Sequence, residues 1–85
     1  VTLAGELDIT TTELVADALR EAVRTGASLV EVDMSGVTFV DSSALRALVT
    51  AANEPGATVR ITSASTSVRR VLDYTNLTGF FGLAD

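Results

Sequence analysis

The sequence predicts an α/β fold, a small and mostly parallel β-sheet packed with α-helices in the order βαβαβα. Three observations support this fold: short apolar runs rich in β-branched residues, a segment of helical periodicity after each run, and turn-forming residues between them. Strands that alternate with helices pair in parallel through right-handed crossovers. With 85 residues, of which 47% are hydrophobic, the chain is expected to form a single domain over residues 1–85.

The first strand and the first helix are predicted near the start of the chain. Residues 1–4 have the pattern of a strand end, and residues 5–8 that of an irregular acidic turn. Thr10 is predicted as the N-cap of a helix, because Glu13 follows three residues later and the two side chains match a capping box.

Hydrophobic spacing predicts the buried face and the end of this helix. Ile9 and Leu14 are expected to pack together as a hydrophobic staple. Gly26 is expected to end the helix as its C-cap. The face predicted to point inward consists of Leu14, Val15, Ala18, Leu19, Ala22 and Val23.

The second strand is predicted over residues 29–34 and is expected to be central in the sheet. The apolar run breaks at residues 35–36, and helical spacing resumes over about residues 42–53. Residues 55–56, Pro and Gly, are expected to stop that helix. Its predicted inward side chains are Leu45, Leu48, Val49 and Ala52, with Arg46 outward.

A third strand and a third helix complete the pattern. Residues 57–62 are predicted as a strand, and either Ser63 or Ser65 as the cap of the helix that follows. Asn76 is predicted to stop this helix in a left-handed conformation, and residues 77–83 to form a last short strand. The helix is expected to bury Val68, Val71 and Leu72 and to leave Arg69 and Arg70 in water.

Composition excludes several kinds of chemistry. The chain lacks Cys, His and Lys, so the sequence predicts no disulfide, no zinc site and no His-based catalytic triad. No other metal site and no cofactor are expected either. Its net charge of −5 argues against nucleic acid as a partner and favours a basic protein surface. No apolar run is long enough for a membrane span, so no membrane association and a cytoplasmic location are expected.

The topology predicts where functional residues collect. In a parallel sheet, ligands and partners bind beyond the carboxyl ends of the strands. Residues 5–8, 35–43 and 63–65 all follow predicted strands, so they are expected to share one edge of the molecule.

Asp41, Ser42 and Ser43 stand at the expected start of the second helix, where two interpretations are open. Each side chain can accept a hydrogen bond from the free amides of the first helical turn, so capping alone explains the motif. Alternatively, Ser42 is a phosphate acceptor on an exposed corner, where about two added negative charges change what the surface binds. We expect Ser43 to be a helix-cap residue, and Asp41 either to cap the helix or to orient Ser42.

The residues that carry these features resemble a known family. Gly5-Glu6-Leu7-Asp8, the following helix, the segment from Asp33 to Leu45 with its Asp-Ser-Ser motif, and the Ser67–Asp73 segment with Leu77 are similar to the STAS domain. The resemblance runs nearly end to end and is to the stand-alone bacterial anti-sigma factor antagonists.

The resemblance implies a switch by partner exchange and no enzymatic activity. In that family the unphosphorylated domain binds an anti-sigma factor that is also a serine kinase, and thereby frees the sigma factor. Phosphorylation, here at Ser42, blocks this binding, and a PP2C-type phosphatase reverses it. Asp8, Asp41, Ser42 and Ser43 would then contact the partner, although Asp8 could merely stabilise its turn. The alternative is a STAS docking or scaffold domain of a larger sensor, stressosome or transporter protein.

Two departures from the family pattern lead to further expectations. Ala44 stands where the family usually has Gly, which is expected to add a methyl group near the contact surface and to alter kinase access. The family also has a strand before Val1 and a helix after Asp85, so the domain is expected to be truncated at both ends.

Overall fold

The predicted order of strands and helices is confirmed. The computed structural model describes residues 1–54 and 56–83. Within this part of the chain, no helix combines the length and the apolar character needed to cross a membrane. The elements are β1 (Thr2–Leu7), α1 (Thr12–Arg24), β2 (Leu29–Val40), α2 (Ser42–Ala52), β3 (Thr58–Ala64) and α3 (Thr66–Tyr74).

The three strands form one parallel sheet in the order β1-β2-β3, so β2 is central as predicted. β2 is much longer than predicted and continues through residues 35–36 to Val40. Gly36 makes this continuation feasible, because a Cβ atom at this position would lie 3.3 Å from the Cβ of Ala4 on β1. Residues 35–36 therefore allow β2 to pair irregularly with β1 and do not end the strand.

In the described part of the chain, the helices cover one face of the sheet. In β2 the side chains of Val30, Val32 and Met34 are buried, while Glu31 between them is exposed. In β3 the exposed Arg60 alternates in the same way with buried neighbours. This alternation is typical of a sheet with one face toward the core. The core is built from side chains of all six elements and the tail, among them Leu7, Val15, Leu19, Met34, Leu48, Ile61, Leu72 and Phe81.

The start of α1 differs from the prediction. Thr11, not Thr10, occupies the N-cap position, and its side chain makes no capping hydrogen bond. The predicted inward position of Leu14 is wrong, because this side chain is 68% exposed, and Ile9 is 74% exposed. α1 begins later than predicted and follows a turn that is stabilised by hydrogen bonds of the turn's own side chains. The start of α1 therefore needs neither a capping box nor burial of Ile9 and Leu14.

The ends of the helices follow the prediction more closely. Gly26 follows α1 with a φ of +92°, and Asn76 follows α3 with a φ of +60°, which is the left-handed conformation expected of a stop residue. Ser65 caps α3, because its hydroxyl accepts a hydrogen bond of 3.3 Å from the amide of Val68. The predicted stop at residues 55–56 is described only for Gly56, since Pro55 lies outside the described residues.

The predicted last strand is wrong. Residues 77–83 form turns, and one backbone hydrogen bond links them to the sheet within the described residues, from the amide of Ile61 to the carbonyl oxygen of Phe81 at 2.9 Å. Phe81 and Leu83 are nevertheless buried. The apolar character of the tail therefore reflects burial against β3 rather than strand pairing.

Candidate functional site

The carboxyl ends of β1 and β2 meet at one edge of the sheet. Leu7, the last residue of β1, is in register with Val40, the last residue of β2. The amide of Asp41 then donates a hydrogen bond of 3.0 Å to the carbonyl oxygen of Leu7. Asp8 and Asp41, which directly follow the two strands, are therefore neighbours, as the topology predicts.

Residues 63–65, the third segment expected at this edge, lie elsewhere. The amide of Ser65 donates to the carbonyl oxygen of Met34 at 3.2 Å, so the end of β3 lies beside the middle of β2. Met34 precedes Val40 by six strand residues, which corresponds to about 20 Å. The prediction that residues 63–65 share the edge is therefore wrong, because β2 continues past residues 35–36.

Asp8 stabilises the turn that leads into α1. Its Oδ1 atom accepts hydrogen bonds from the amide of Thr10 at 2.9 Å and from the Thr10 hydroxyl at 2.6 Å. These donors, the hydroxyl first and then the amide, lower the pKa of Asp8 below its ordinary value. The Asp8 carbonyl oxygen also accepts from the hydroxyls of Thr11 and Thr12. The turn-stabilising interpretation is thus confirmed.

Asp41 is the N-cap of α2. Its Oδ1 atom accepts hydrogen bonds from the amides of Ser43 at 3.0 Å and Ala44 at 3.1 Å. Of the two roles left open for Asp41, the capping role is the one this geometry shows. The expectation that Ser43 is the cap residue is wrong, since its own amide is a group that Asp41 caps.

Ser42 is the first residue of α2 and is exposed. Its hydroxyl makes no hydrogen bond within the part of the chain that the structure describes. An exposed and unpaired hydroxyl at a helix start is accessible to a modifying enzyme. Ser43, one residue later, is half-buried and faces a groove described below.

Ala44 does not lie at the surface. Its side chain is fully buried, with 0% exposure, and belongs to the hydrophobic core. The expectation that its methyl group lies near the contact surface is therefore wrong. The reason is the helical phase: with Asp41 as N-cap, Ser42 points to solvent and position 44 points toward the sheet.

A groove between α1 and α2 reaches this edge of the molecule, and the sequence alone did not indicate it. It has a volume of about 580 Å³ and extends from Thr12 and Ser43 to Arg24 and Glu54, along both helices. Small residues such as Ala16, Ala47 and Ala51 line it and keep the two helices from filling the space. Their recurrence at helical spacing in two adjacent helices was the only available signal in the sequence.

Comparisons with known proteins agree with this geometry. The family described as "Mlab, STAS domain" matches residues 1–84. The fold is similar to the crystal structure of an anti-sigma factor antagonist from Mycobacterium paratuberculosis, with a TM-score of 0.84. That similarity covers 96% of this chain and 72% of the other at 23% sequence identity. No curated protein sequence matches the chain.

Proposed function

Because the chain belongs to the STAS domain family, we propose that it acts as an anti-sigma factor antagonist controlled by phosphorylation of Ser42. The unphosphorylated domain binds an anti-sigma factor that is also a serine kinase, and the sigma factor is released. Phosphorylation of Ser42 blocks this binding, and a PP2C-type phosphatase restores it. The similarity in fold to an anti-sigma factor antagonist supports this proposal.

The observation that carries the proposal is the accessibility of the Ser42 side chain. Its side chain is exposed and its hydroxyl is unpaired within the described residues, whereas the neighbouring Asp41 carboxylate is held at the helix start by two amides. Ser42 is thus the exposed member of the motif, whereas Asp41 caps α2 and Ser43 is half-buried. Asp8, Asp41 and Ser43 surround it and complete the proposed contact surface.

The effect of a phosphoryl group at Ser42 follows from the charges nearby. The group carries close to two negative charges, and it would stand next to Asp41 on a chain of net charge −5. Since Asp41 already occupies the amides of Ser43 and Ala44, the phosphoryl group has little access to them and lies on the exposed surface where a partner would dock. There it would repel an acidic patch on the partner or overfill a tight contact, which weakens the complex while α2 keeps its cap.

We propose that the domain binds and is modified but performs no catalysis itself. Within the described residues no polar or charged residue is buried. A site that shifts pKa values or excludes water from reacting groups needs such residues. The absence of buried polar groups in this region therefore favours a binding module.

The test is phosphorylation by the cognate anti-sigma factor kinase with ATP. We expect one phosphoryl group at Ser42, none in Ser42→Ala, and unchanged incorporation in the control Ser43→Ala. The phosphorylated protein should then bind the anti-sigma factor more weakly than the unmodified one. Incorporation at another residue, or none, would instead support the docking or scaffold function within a larger sensor, stressosome or transporter protein.

A further inference from the structure

More cationic than acidic side chains line the groove between α1 and α2, although the protein is acidic. Three of the six arginines of the chain line it, Arg20 and Arg24 on the α1 side and Arg46 on the α2 side. Glu54, at one end, is the only acidic residue that lines it among the described residues. On a chain of net charge −5, this segregation favours an acidic occupant.

The arginines of the two walls differ in their present partners. Arg20 lies 3.5 Å from Asp17, and Arg24 lies 2.7 Å from Glu21, both as exposed pairs within α1. The Arg20 pair is of the exposed kind that contributes little to stability. Arg24 is held more firmly, because its Nε and Nη2 atoms donate to both carboxylate oxygens of Glu21 at 3.0 and 2.7 Å. Arg46 forms no ion pair within the described residues. Arg46 is therefore the cation most available to a ligand.

The shape of the groove suits a helix. It runs along α1 and α2, which have 13 and 11 residues and are therefore about 16–20 Å long. Its floor is apolar, with Leu19, Val23 and Ala47 among the lining residues. An amphipathic helix lays an apolar stripe into such a floor, with its flanking residues against the two walls. Because both walls carry arginine, the flanking residues should be Asp or Glu.

Arg46 also connects the groove to Ser42. The two residues are four apart on α2, so their side chains are neighbours on one helical face. A phosphoryl group on Ser42 would form charge-assisted hydrogen bonds with the Arg46 guanidinium. Arg46 would then be withdrawn from any acidic group in the groove.

We propose that the α1/α2 groove binds an acidic amphipathic helix of a partner protein and that Arg46 makes this binding depend on the phosphorylation state of Ser42. The second part rests on the proposed function. The first part needs only the groove and its charges. The groove is thus a second contact surface, continuous with the edge that carries Asp8 and Ser42.

The test uses the protein and a synthetic helix-stapled peptide of about four turns, with Leu on one face and Glu on both flanks. A shuffled peptide of the same composition, without a continuous Leu face, is the control. We expect the first peptide to shift the NMR amide signals of Ala16, Leu19, Ala47 and Ala51, and the shuffled peptide to leave them unchanged. Shifts confined to Asp8 and Ser42, or no shifts, would overturn the groove as a docking site.

Charge variants test the role of Arg46. Arg46→Glu should weaken binding of the peptide by about tenfold or more. Arg70→Glu, which makes the same charge change on α3 outside the groove, should alter it by less than about twofold. Equal losses in the two variants would mean attraction by net charge alone and would contradict the proposal.

The link to Ser42 is tested with phosphoserine placed at position 42 by semisynthesis, so that the result does not depend on the kinase. Phosphorylation and Arg46→Ala should each weaken peptide binding, and the combined loss should be clearly smaller than the product of the two factors. If the combined loss in peptide affinity equals the product of the two separate factors, the link between Arg46 and Ser42 is overturned. Failure of the kinase to modify Ser42 would contradict the proposed function but leave the groove result standing.

Two other occupants are tested in the same experiment. If dilution of the protein alone shifts the groove signals, a second copy of the chain occupies the groove, and the proposed partner is wrong. If decanoate shifts these signals and the peptide does not, the groove binds small amphiphiles instead. Shifts caused by the peptide but by neither dilution nor decanoate support the proposal.

Discussion

The backbone amide of Asp41 donates a hydrogen bond of 3.0 Å to the carbonyl oxygen of Leu7. This bond joins the end of β1 to the start of α2, since Leu7 is the last residue of one element and Asp41 is the N-cap of the other. The turn at Asp8 and the exposed Ser42 are thereby held in one fixed arrangement. A partner that docks on this edge meets both together.

Replacement of Asp41 separates its capping role from its charge. Asp41→Ala should lower the free energy of unfolding by about 1 kcal/mol, because the amides of Ser43 and Ala44 lose their acceptor. Asp41→Asn should retain most of the stability, since asparagine caps helices about as well as aspartate. Urea unfolding measures both. Equal losses in the two variants would show that the charge, and not the cap, stabilises α2.

Replacement of Ala44 tests whether its methyl group acts in the core or at the surface. Ala44→Gly should lower the free energy of unfolding by about 1 kcal/mol, because a buried methyl group is lost and glycine is a poor helix former. The rate at which the kinase phosphorylates Ser42 should stay the same. Unchanged stability with faster phosphorylation would instead show that the methyl group shields Ser42.

The order of the elements could be predicted from the sequence, because periodicity alone distinguishes strands from helices over most of this chain. The neighbouring positions of Asp8 and Asp41 followed from the same order. The length of β2 could not be predicted, since residues 35–36 have a turn-forming composition. The pairing of these and the following residues with β1, which begins with Gly36 opposite Ala4, shows that the strand continues.

Side-chain roles within the site were harder to predict than its position. Asp41, Ser42 and Ser43 are all good N-cap residues, so their composition does not decide which one caps. Which residue caps depends on where α2 begins, and helix boundaries are poorly defined by sequence. Ala44 lies four residues before Leu48, on the face predicted to point inward, so its burial agrees with the helical spacing. The exposure of Leu14, by contrast, depends on how α1 lies on the sheet, which periodicity does not specify.

The turn at Asp8 should be sensitive to pH. Hydrogen bonds from Thr10 lower the pKa of Asp8 in the folded protein, so the carboxylate stabilises the fold at pH values above the ordinary pKa of about 3.9. That contribution is lost as the pH falls through the lowered value. Thr10→Val removes the hydroxyl donor and should raise the pKa of Asp8 toward its ordinary value.

Carboxyl NMR titration of the Thr10→Val variant measures this effect. Asp33 is the internal control, because its pKa is also lowered but by the amide and hydroxyl of Ser35. Thr10→Val should leave the pKa of Asp33 unchanged, and Ser35→Ala should raise it without affecting Asp8. A Thr10→Val variant in which Asp8 titrates as in the unmodified protein would show that the hydroxyl does not stabilise the carboxylate.

Ile9 and Leu14 should contribute to partner binding rather than to stability. They are 74% and 68% exposed and lie in the turn and the first helical turn next to Asp8. Exposed apolar side chains beside a charged contact are typical of binding surfaces. Ile9→Ser and Leu14→Ser should change the free energy of unfolding by less than about 0.5 kcal/mol but weaken binding of the anti-sigma factor by about tenfold.

Tyr74→Ser is the matched control, because Tyr74 is 91% exposed at the end of α3, away from this edge. It should affect neither stability nor binding. Isothermal calorimetry with the anti-sigma factor and urea unfolding of each variant provide the two measurements. If Ile9→Ser and Leu14→Ser lose stability as well as affinity, these side chains support the turn at Asp8. If they lose neither, these two side chains take no part in partner binding, and the prediction is wrong.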